Sequence, residues 1–382
     1  MRIALVVPGG VDRSLEYRVI PALLALISRL AINNDVQVFA LHQEIEASEW
    51  WIAGARIRNI GSKHTVSRTI RAICAEHRAL PFDVVHSIWS GWGGLIATAS
   101  GRILRIPSLV HIAGGELARL AEIGYGGRLK WYGRLREAFN LRAASAVTAA
   151  STPIIDMLSE LGVAARRIPL GVDLAAWPPR DPVRRDPNRP AQFIHLASLN
   201  RVKDQPTLLQ ALALLMRSGL NFEMKVVGED TLGGEIQSMA AELGLSQRVR
   251  FLGFLPQRQL RPIVEAADLM ILSSRHEAGP LALLEAAVVG VPTVGTAVGH
   301  IREWSPTAAA CVPVGNWVSL AKAVSQLLQD EDLRLRMARE AQQRAVREDA
   351  NYTAECFQTL YATLLEPRLP RPRLPRPRLP RA

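Results

Sequence analysis

The sequence predicts an α/β protein made of two doubly wound parallel-sheet domains that face each other across a cleft. Three observations predict it. Short β-rich runs alternate with amphipathic helical stretches along most of the chain, the pattern of a parallel sheet covered on both faces. That scheme occurs twice, once in each half. Between the halves lies a stretch with no apolar periodicity, 177–190, which holds five prolines and six charged residues.

In the first half the runs are 2–7, 36–41, 83–86, 108–112, 146–149 and 167–170. The first stops at Pro8-Gly9-Gly10 and is too short for a secretory leader, so it reads as a strand. The second half supplies 192–197, 223–227, 250–252, 269–272, 291–294 and 310–312. Helical periodicity follows at 318–329, 331–347 and 352–365. The expected division is a domain over 1–176, a linker over 177–190, a second domain over 191–350, a helix over 351–366 returning to the first domain, and a disordered tail over 367–382. That tail repeats Arg-Leu-Pro-Arg-Pro, a composition that cannot form a core.

Composition narrows the function classes. A chain of 382 residues with 48% hydrophobic content can bury two cores. Six arginines of the tail account for much of the +11 net charge, and without them +5 remains, a modest excess that suits an anionic small molecule. No zinc-finger spacing or stacking platform accompanies the charge, which argues against nucleic acid as a partner. Cys74, Cys311 and Cys356 are too dispersed for a disulfide framework or a zinc site. No apolar stretch is long enough to cross a bilayer, so any membrane contact is peripheral.

The most informative motif is Glu277-Ala-Gly-Pro-Leu-Ala-Leu-Leu-Glu285, directly after the apolar run 269–272. The run reads as a buried strand, 275–279 as a loop, and Pro280 as the first position of a helix that continues through Val289. Such a helix start presents unpaired N–H groups and a positive dipole end, which suit a diphosphate, while two carboxylates can accept sugar hydroxyls. A pair at this spacing arises about once by chance in a chain this long, and a solvated helix glutamate is the commoner reading of an isolated pair. The preceding strand, the Gly279-Pro280 between the two and the strand that follows favour a site.

On these residues the chain resembles glycosyltransferase family 4, the retaining enzymes of the GT-B fold, whose two domains are Rossmann-like. The resemblance covers nearly everything before Pro367, and its most specific part is 274–299. Leu199-Asn-Arg-Val-Lys-Asp-Gln205, Val226-Val-Gly-Glu229, Val249-Arg-Phe-Leu-Gly253 and Ile168-Pro-Leu-Gly-Val-Asp173 support it. It implies that Glu285 holds the ribose hydroxyls of a nucleotide sugar and that Glu277 contacts the transferred sugar. Backbone around Ala278, Gly279, Pro280 and Leu281 would approach the sugar and diphosphate. Lys203 would stabilise the leaving diphosphate, although a solvated residue at a helix start is the plain alternative. The family often carries arginine where this chain has Ser198, and Arg201 is the candidate replacement.

In the first half, Gly10 follows the first strand, where backbone can come close to donor phosphates or acceptor, though a tight turn accounts for it nearly as well. His111, expected at a strand end facing the cleft, matches a family histidine near the transferred sugar. A structural hydrogen bond is the competing reading, and it applies to His86 as well. The stretch 128–142 mixes cations with Trp131, Tyr132 and Phe139 and suits an anionic membrane surface, as does the basic tail, whereas packing on its own domain is the commoner fate of such a helix.

The expected activity is therefore retaining, metal-independent transfer of a hexosyl group from a nucleotide-diphosphate sugar, a co-substrate rather than a cofactor, to a glycan or lipid-linked acceptor. The expected setting is bacterial cell-surface polysaccharide or glycolipid synthesis, in the cytoplasm at the inner face of the membrane. The alternative is a nucleotide-sugar epimerase on the same scaffold.

Overall fold

A computed structural model describes residues 1–366; the repeat tail predicted over 367–382 lies outside the described residues. The N-terminal domain runs through β1 (Arg2–Val7), α1 (Pro21–Asn33), β2 (Asp35–Ala40), β3 (Ser48–Ile52), β4 (Ala55–Asn59), α2 (Thr65–Ala79) and β5 (Val84–Ile88). It continues with α3 (Gly91–Leu104), β6 (Ser108–Ile112), α4 (Trp131–Ala143), β7 (Ala146–Ala149), α5 (Thr152–Glu160) and β8 (Arg166–Arg167). Its sheet has the order β3-β4-β2-β1-β5-β6-β7-β8. Every pairing is parallel except β3 with β4.

That exception corrects the expectation of a purely parallel sheet. Trp50, Ile52, Ala55 and Ile57 alternate inward with outward-facing Trp51, Arg56 and Arg58, and Ala53-Gly54 turns the hairpin with both residues at positive φ. Because Ala-Gly is a weak hairpin signal beside Asn-Gly, the two strands escape a search keyed to turn chemistry. Other departures are displaced ends. The last strand of this sheet is Arg166–Arg167 rather than 167–170, and the strand expected at 291–294 spans Thr293–Thr296.

The C-terminal domain follows with β9 (Ala191–Leu196), α6 (Gln205–Arg217), β10 (Phe222–Val227), α7 (Glu235–Glu242), β11 (Val249–Phe251), α8 (Gln257–Glu265) and β12 (Leu269–Leu272). Then come α9 (Leu281–Val288), β13 (Thr293–Thr296), α10 (Gly299–Trp304), β14 (Ala310–Val312), α11 (Trp317–Gln329), α12 (Glu331–Arg347) and α13 (Ala350–Leu365). The sheet order is β11-β10-β9-β12-β13-β14, and every pairing is parallel. Its strands are apolar on both sides because helices cover both faces. Phe193, Met224 and Ile271 pack on one side, Ile194, Met270 and Leu272 on the other.

The late helices start where side chains accept orphan N–H groups: Asn316 from Ser319, Asp330 from Leu333 and Asp349 from Tyr352. The last of these leads α13 back onto the N-terminal sheet, where Phe357 and Tyr361 are fully buried. The chain crosses between the domains twice, at Gly171 and at Asp349. A Cβ on Gly171 would lie 2.2 Å from the Asp349 carbonyl carbon, so glycine is required for the two crossings to touch. The Val172 carbonyl accepts from Ala350 (3.0 Å), and Thr353 Oγ1 accepts from Gly171 (2.9 Å).

The stretch 177–190 has no regular structure yet lies along the C-terminal domain. Trp177 is buried in that core, Arg180 pairs with Glu265 and Arg189 with Asp268, each at 2.7 Å. Arg334, itself buried, donates to the Val183 carbonyl (2.5 Å).

Candidate functional site

In an open parallel sheet, ligands bind beyond the carboxyl ends of the strands where the strand order reverses. The C-terminal sheet reverses between β9 and β12. The loop after β9 carries Arg201 and Lys203, and the loop after β12 carries Glu277. This juxtaposition brings Lys203 Nζ to 2.5 Å from Glu277 Oε1. The pair is braced from both ends. Ser274 Oγ donates to the same carboxylate oxygen (2.7 Å), and Ser273 Oγ donates to the Lys203 carbonyl (2.8 Å). Arg275 N–H donates to the Val202 carbonyl (2.7 Å), tying the loops together.

Pro280 is the N-cap of α9 rather than its first residue, and the helix ends at Val288, one residue short of the sequence reading. Its first turn has no side-chain cap, so the orphan N–H groups at the helix start are available to an anion. Leu281 packs against the cores of both domains. Ala278 is buried, and its carbonyl accepts from Ser151 Oγ of the N-terminal domain (2.5 Å). A Cβ on Gly279 would approach His300 Nε2 to 2.8 Å and the Ala150 Cβ to 3.1 Å, so the loop fits only without a side chain there.

Glu285 lies one turn into α9, buried, with Gln257 Nε2 donating to its carboxylate (3.1 Å). Burial pushes its pKa up to about 7, against which the Gln257 bond acts only partly. A carboxylate in that state is short of donors. Two hydroxyls on adjacent carbons would satisfy it. Arg201 is exposed on the rim of the same loop as Lys203, and the Ser198 carbonyl accepts from Gln205 (3.1 Å).

Two N-terminal candidates are placed differently from the sequence reading. His111 is enclosed rather than open to solvent. It is fully buried, Nδ1 lies 2.9 Å from Thr148 Oγ1, and its ring packs edge-on against Phe357 of α13. Burial lowers its pKa to about 3, so it is neutral near pH 7. His86 behaves alike, with Nδ1 2.6 Å from Tyr361 Oη. Gly10 does not offer its N–H to a ligand, because Gln43 Oε1 already accepts from it (2.7 Å) and from Val11 (3.0 Å). Its φ of +84° explains the glycine.

What the N-terminal domain does bring to Glu277 is the segment after β6. The Gly114 carbonyl lies 3.2 Å from His276 Nε2, and the Tyr125 and His276 rings are 6.2 Å apart. Glu116 holds this segment, accepting from Gly114 N–H (2.8 Å) and from Ser90 N–H (3.1 Å). Burial raises the Glu116 pKa to about 7, with Glu137 adding to the rise. The Gly114-Gly115-Glu116 run after a strand was the available sequence signal for this contact; for Gln257, Gly253 and Pro256 mark a loop and helix start but not a partner for Glu285.

A second set of contacts ties β8 and the start of α5 to α10 and the end of α12. Arg167 pairs with Glu303 (2.5 Å) and Glu348 (2.7 Å), while Thr152 Oγ1 donates to Glu303 (3.1 Å). Burial alone would raise Glu303, but its bonds to His300 and Arg167 outweigh this and hold its pKa at about 2. His300 Nδ1 lies 3.1 Å from Glu303, and its Nε2 faces Gly279 without a partner. Among the described residues no cluster of three or more metal-ligating side chains occurs, and no helix is long and apolar enough to cross a membrane.

Comparisons with known proteins agree with this layout. The family model described as "Glycosyl transferase 4-like domain" matches residues 21–171, and "Glycosyl transferases group 1" matches residues 180–344. A D-inositol 3-phosphate glycosyltransferase of Corynebacterium urealyticum is 34% identical over 181 residues, 45% of this chain and 42% of that one. A glycogen synthase of Mycobacterium tuberculosis is 29% identical over 215 residues, 54% and 51% of the two chains. The chain thus spans about half the length of the curated relatives it matches. Among solved structures, Anabaena HepE in complex with UDP and glucose superposes with a TM-score of 0.72 at 17% identity, over 95% of this chain and 100% of that one. Sucrose-phosphate synthase from Thermosynechococcus elongatus gives 0.73 at 19% identity, over 95% and 99%. At such identities the likeness is one of fold, the two-domain GT-B architecture.

Proposed function

This chain belongs to glycosyltransferase family 4, and from that premise we propose that it moves a sugar from a nucleotide-diphosphate sugar to an acceptor hydroxyl with retention at the anomeric carbon. The observation that carries the reading is the Lys203–Glu277 pair at the switch point, beside the uncapped start of α9 and the donor-poor Glu285.

The chemistry follows from these groups. Glu285 accepts from the two ribose hydroxyls, which replace the water its carboxylate lacks. The diphosphate lies at the start of α9 and draws Lys203 away from Glu277, with Arg201 at the rim supplying a second cation. Glu277, released, accepts from a hydroxyl of the sugar being transferred. The bond from the anomeric carbon to the phosphate oxygen breaks as the acceptor oxygen attacks from the same face. The departing diphosphate takes the acceptor's proton, so catalysis rests on positioning and on charge stabilisation by Lys203 and the helix start. In this scheme the cations and helix dipole neutralise the diphosphate, and no metal is invoked.

The acceptor is a glycan or a lipid-linked glycan in the making of a cell-surface polysaccharide or glycolipid. The work takes place in the cytoplasm, where free thiols such as Cys74, Cys311 and Cys356 persist. A thermal-shift screen of UDP-, GDP- and ADP-sugars tests the donor site, because a ligand of the folded state raises apparent stability. A shift with one nucleotide sugar, absent in Glu285→Ala, supports the reading. No shift with any of them defeats it. Donor incubated alone separates transfer from epimerisation, which changes the sugar without an acceptor.

A further inference from the structure

Helix α4 is packed inside out. Its buried side consists of Gly133, Glu137, Asn140 and Leu141, and the two polar members are bonded to Ser90: Ser90 Oγ donates to Glu137 (2.6 Å) and accepts from Asn140 (3.1 Å). Its outer side carries Trp131, Leu135 and Phe139 at i, i+4 and i+8, exposed by 65%, 62% and 40%. A helix that merely covered its own domain would place those three inward. Trp92 and Ile103 of α3 and Tyr132 of α4 widen the exposed apolar face.

The charges on this face have one sign. Helix α3 contains no acidic residue, and α4 contains one, Glu137, which is buried. Against them stand Arg102, Arg105, Lys130, Arg134 and Arg142, all exposed. Several cations lie over the rings rather than apart from them: Arg102 over Phe139 at 5.5 Å, Arg136 over Trp92 at 4.8 Å, and Lys130 over Tyr132 at 5.8 Å. Aromatic and aliphatic side chains ringed by cations, with no exposed carboxylate on either helix and only Arg136 paired, to buried Glu137, fit a surface that is anionic outside and apolar beneath. A second copy of the same face would repel it, and the exposed aliphatic Leu135 and Ile103 between the rings suit a hydrocarbon layer better than a run of stacked bases.

We propose that the α3–α4 face seats the protein on an anionic lipid bilayer, with Trp131, Leu135 and Phe139 at the acyl boundary and the arginines on lipid phosphates. The face is joined to the cleft by short links. Ser90, bonded to Glu137 of α4, also donates its N–H to Glu116, which holds Gly114 against His276. A bilayer under α4 therefore lies beside the N-terminal wall of the cleft, where, if the transfer reading holds, a lipid-borne acceptor would enter.

The test is co-sedimentation of the full chain with vesicles of phosphatidylcholine and phosphatidylglycerol in equal parts, and with pure phosphatidylcholine, without any substrate. The protein is expected to sediment with the anionic vesicles and at least about tenfold more weakly with the neutral ones. A triple variant, Trp131→Ser, Leu135→Ser and Phe139→Ser, should lose about tenfold or more in binding while keeping its circular dichroism. A second variant, Arg134→Glu with Arg142→Glu, should weaken binding and flatten its salt dependence, which covers the case in which the triple variant misfolds. Undiminished binding by either folded variant overturns the proposal, since the tail arginines are unchanged in both. Binding to an oligonucleotide but not to vesicles, or concentration-dependent self-association abolished by the triple variant, overturns it as well. Nucleotide binding is measured separately, so failure here leaves the donor site standing.

Discussion

Lys203 and Glu277, 74 residues apart in sequence, meet at 2.5 Å across the strand-order reversal of the C-terminal sheet. Each is the other's counter-ion. A diphosphate offers Lys203 more negative charge than one carboxylate does, so in the proposed reaction the donor would take Lys203 and free Glu277 for the sugar.

Lys203→Ala should therefore lower kcat by about 10² to 10³-fold, the usual cost of losing a charged group that stabilises a leaving group. Lys203→Arg keeps the charge but not the compact ammonium and should recover only part of the rate. Single-turnover transfer from the donor identified by thermal shift measures both. A Lys203→Ala enzyme with full single-turnover rate would remove this residue from the chemistry.

Glu285 makes stability and donor affinity respond to pH in opposite directions. Its carboxyl titrates near 4.5 when unfolded and about 7 when folded, because burial disfavours the charge. The folded state thus binds the proton more tightly, so stability falls as pH rises from about 4.5 through 7 and the loss is complete above that. Glu285→Gln should be more stable than the parent by about 2 kcal/mol at pH 8 and nearly equal to it at pH 4. Nucleotide affinity, which needs the carboxylate, should strengthen roughly tenfold between pH 6 and 8. Urea unfolding and calorimetric titration at both ends of the range check the two signs.

The docking of α13 should be acid-labile. Burial holds His111 at about 3 and lowers His86 well below the ordinary value of 6.5, and both rings pack against Phe357. Their folded pKa values are depressed, so both stay neutral in the native state. Their contribution to stability is complete above about 6.5 and is lost as pH falls below it, where the unfolded chain takes up the protons. Hydrogen exchange at the amides of α13, corrected for the intrinsic pH effect, should accelerate between pH 7 and 5. A His86→Gln, His111→Gln double variant that keeps the same acceleration would exclude these histidines as the cause.

Gly279→Ala introduces a Cβ 2.8 Å from His300 Nε2 and 3.1 Å from Ala150, at the loop that carries Glu277. Displacing that loop should cost about tenfold to a hundredfold in kcat/KM. Adding His300→Ala opens the space and should restore part of it, whereas no restoration would place the damage at Ala150 instead. Steady-state kinetics of the three variants decide between the two.

Much of the fold was legible because the signals are short-ranged. The run 269–272, the glycine and proline after it and the next apolar run mark a strand, a loop and a helix without knowledge of anything distant. The same locality accounts for the misses. The 48–59 hairpin turns on Ala53-Gly54, where the positive φ of Ala53 is not announced by its residue type. His111 could be placed on a strand but not on a face, since the choice depends on α13, which arrives more than 230 residues later. Trp177 sits in a stretch whose composition reads as solvent-exposed, and its burial depends on the core of the C-terminal domain.

By itself, then, the sequence determined the class of this protein, its two repeated sheets and the local setting of Glu277, Glu285 and Lys203 in loops and a helix start, because periodicity and turn chemistry act within a few residues. The tertiary structure decided which groups meet. It paired Lys203 with Glu277, set Gln257 on Glu285, enclosed His111, bonded Gly10 to Gln43, brought Gly114 to His276, and turned the aromatic side of α4 outward. Those outcomes depend on where the strand order reverses and on which helix covers which face, properties of packing that no local stretch of sequence contains.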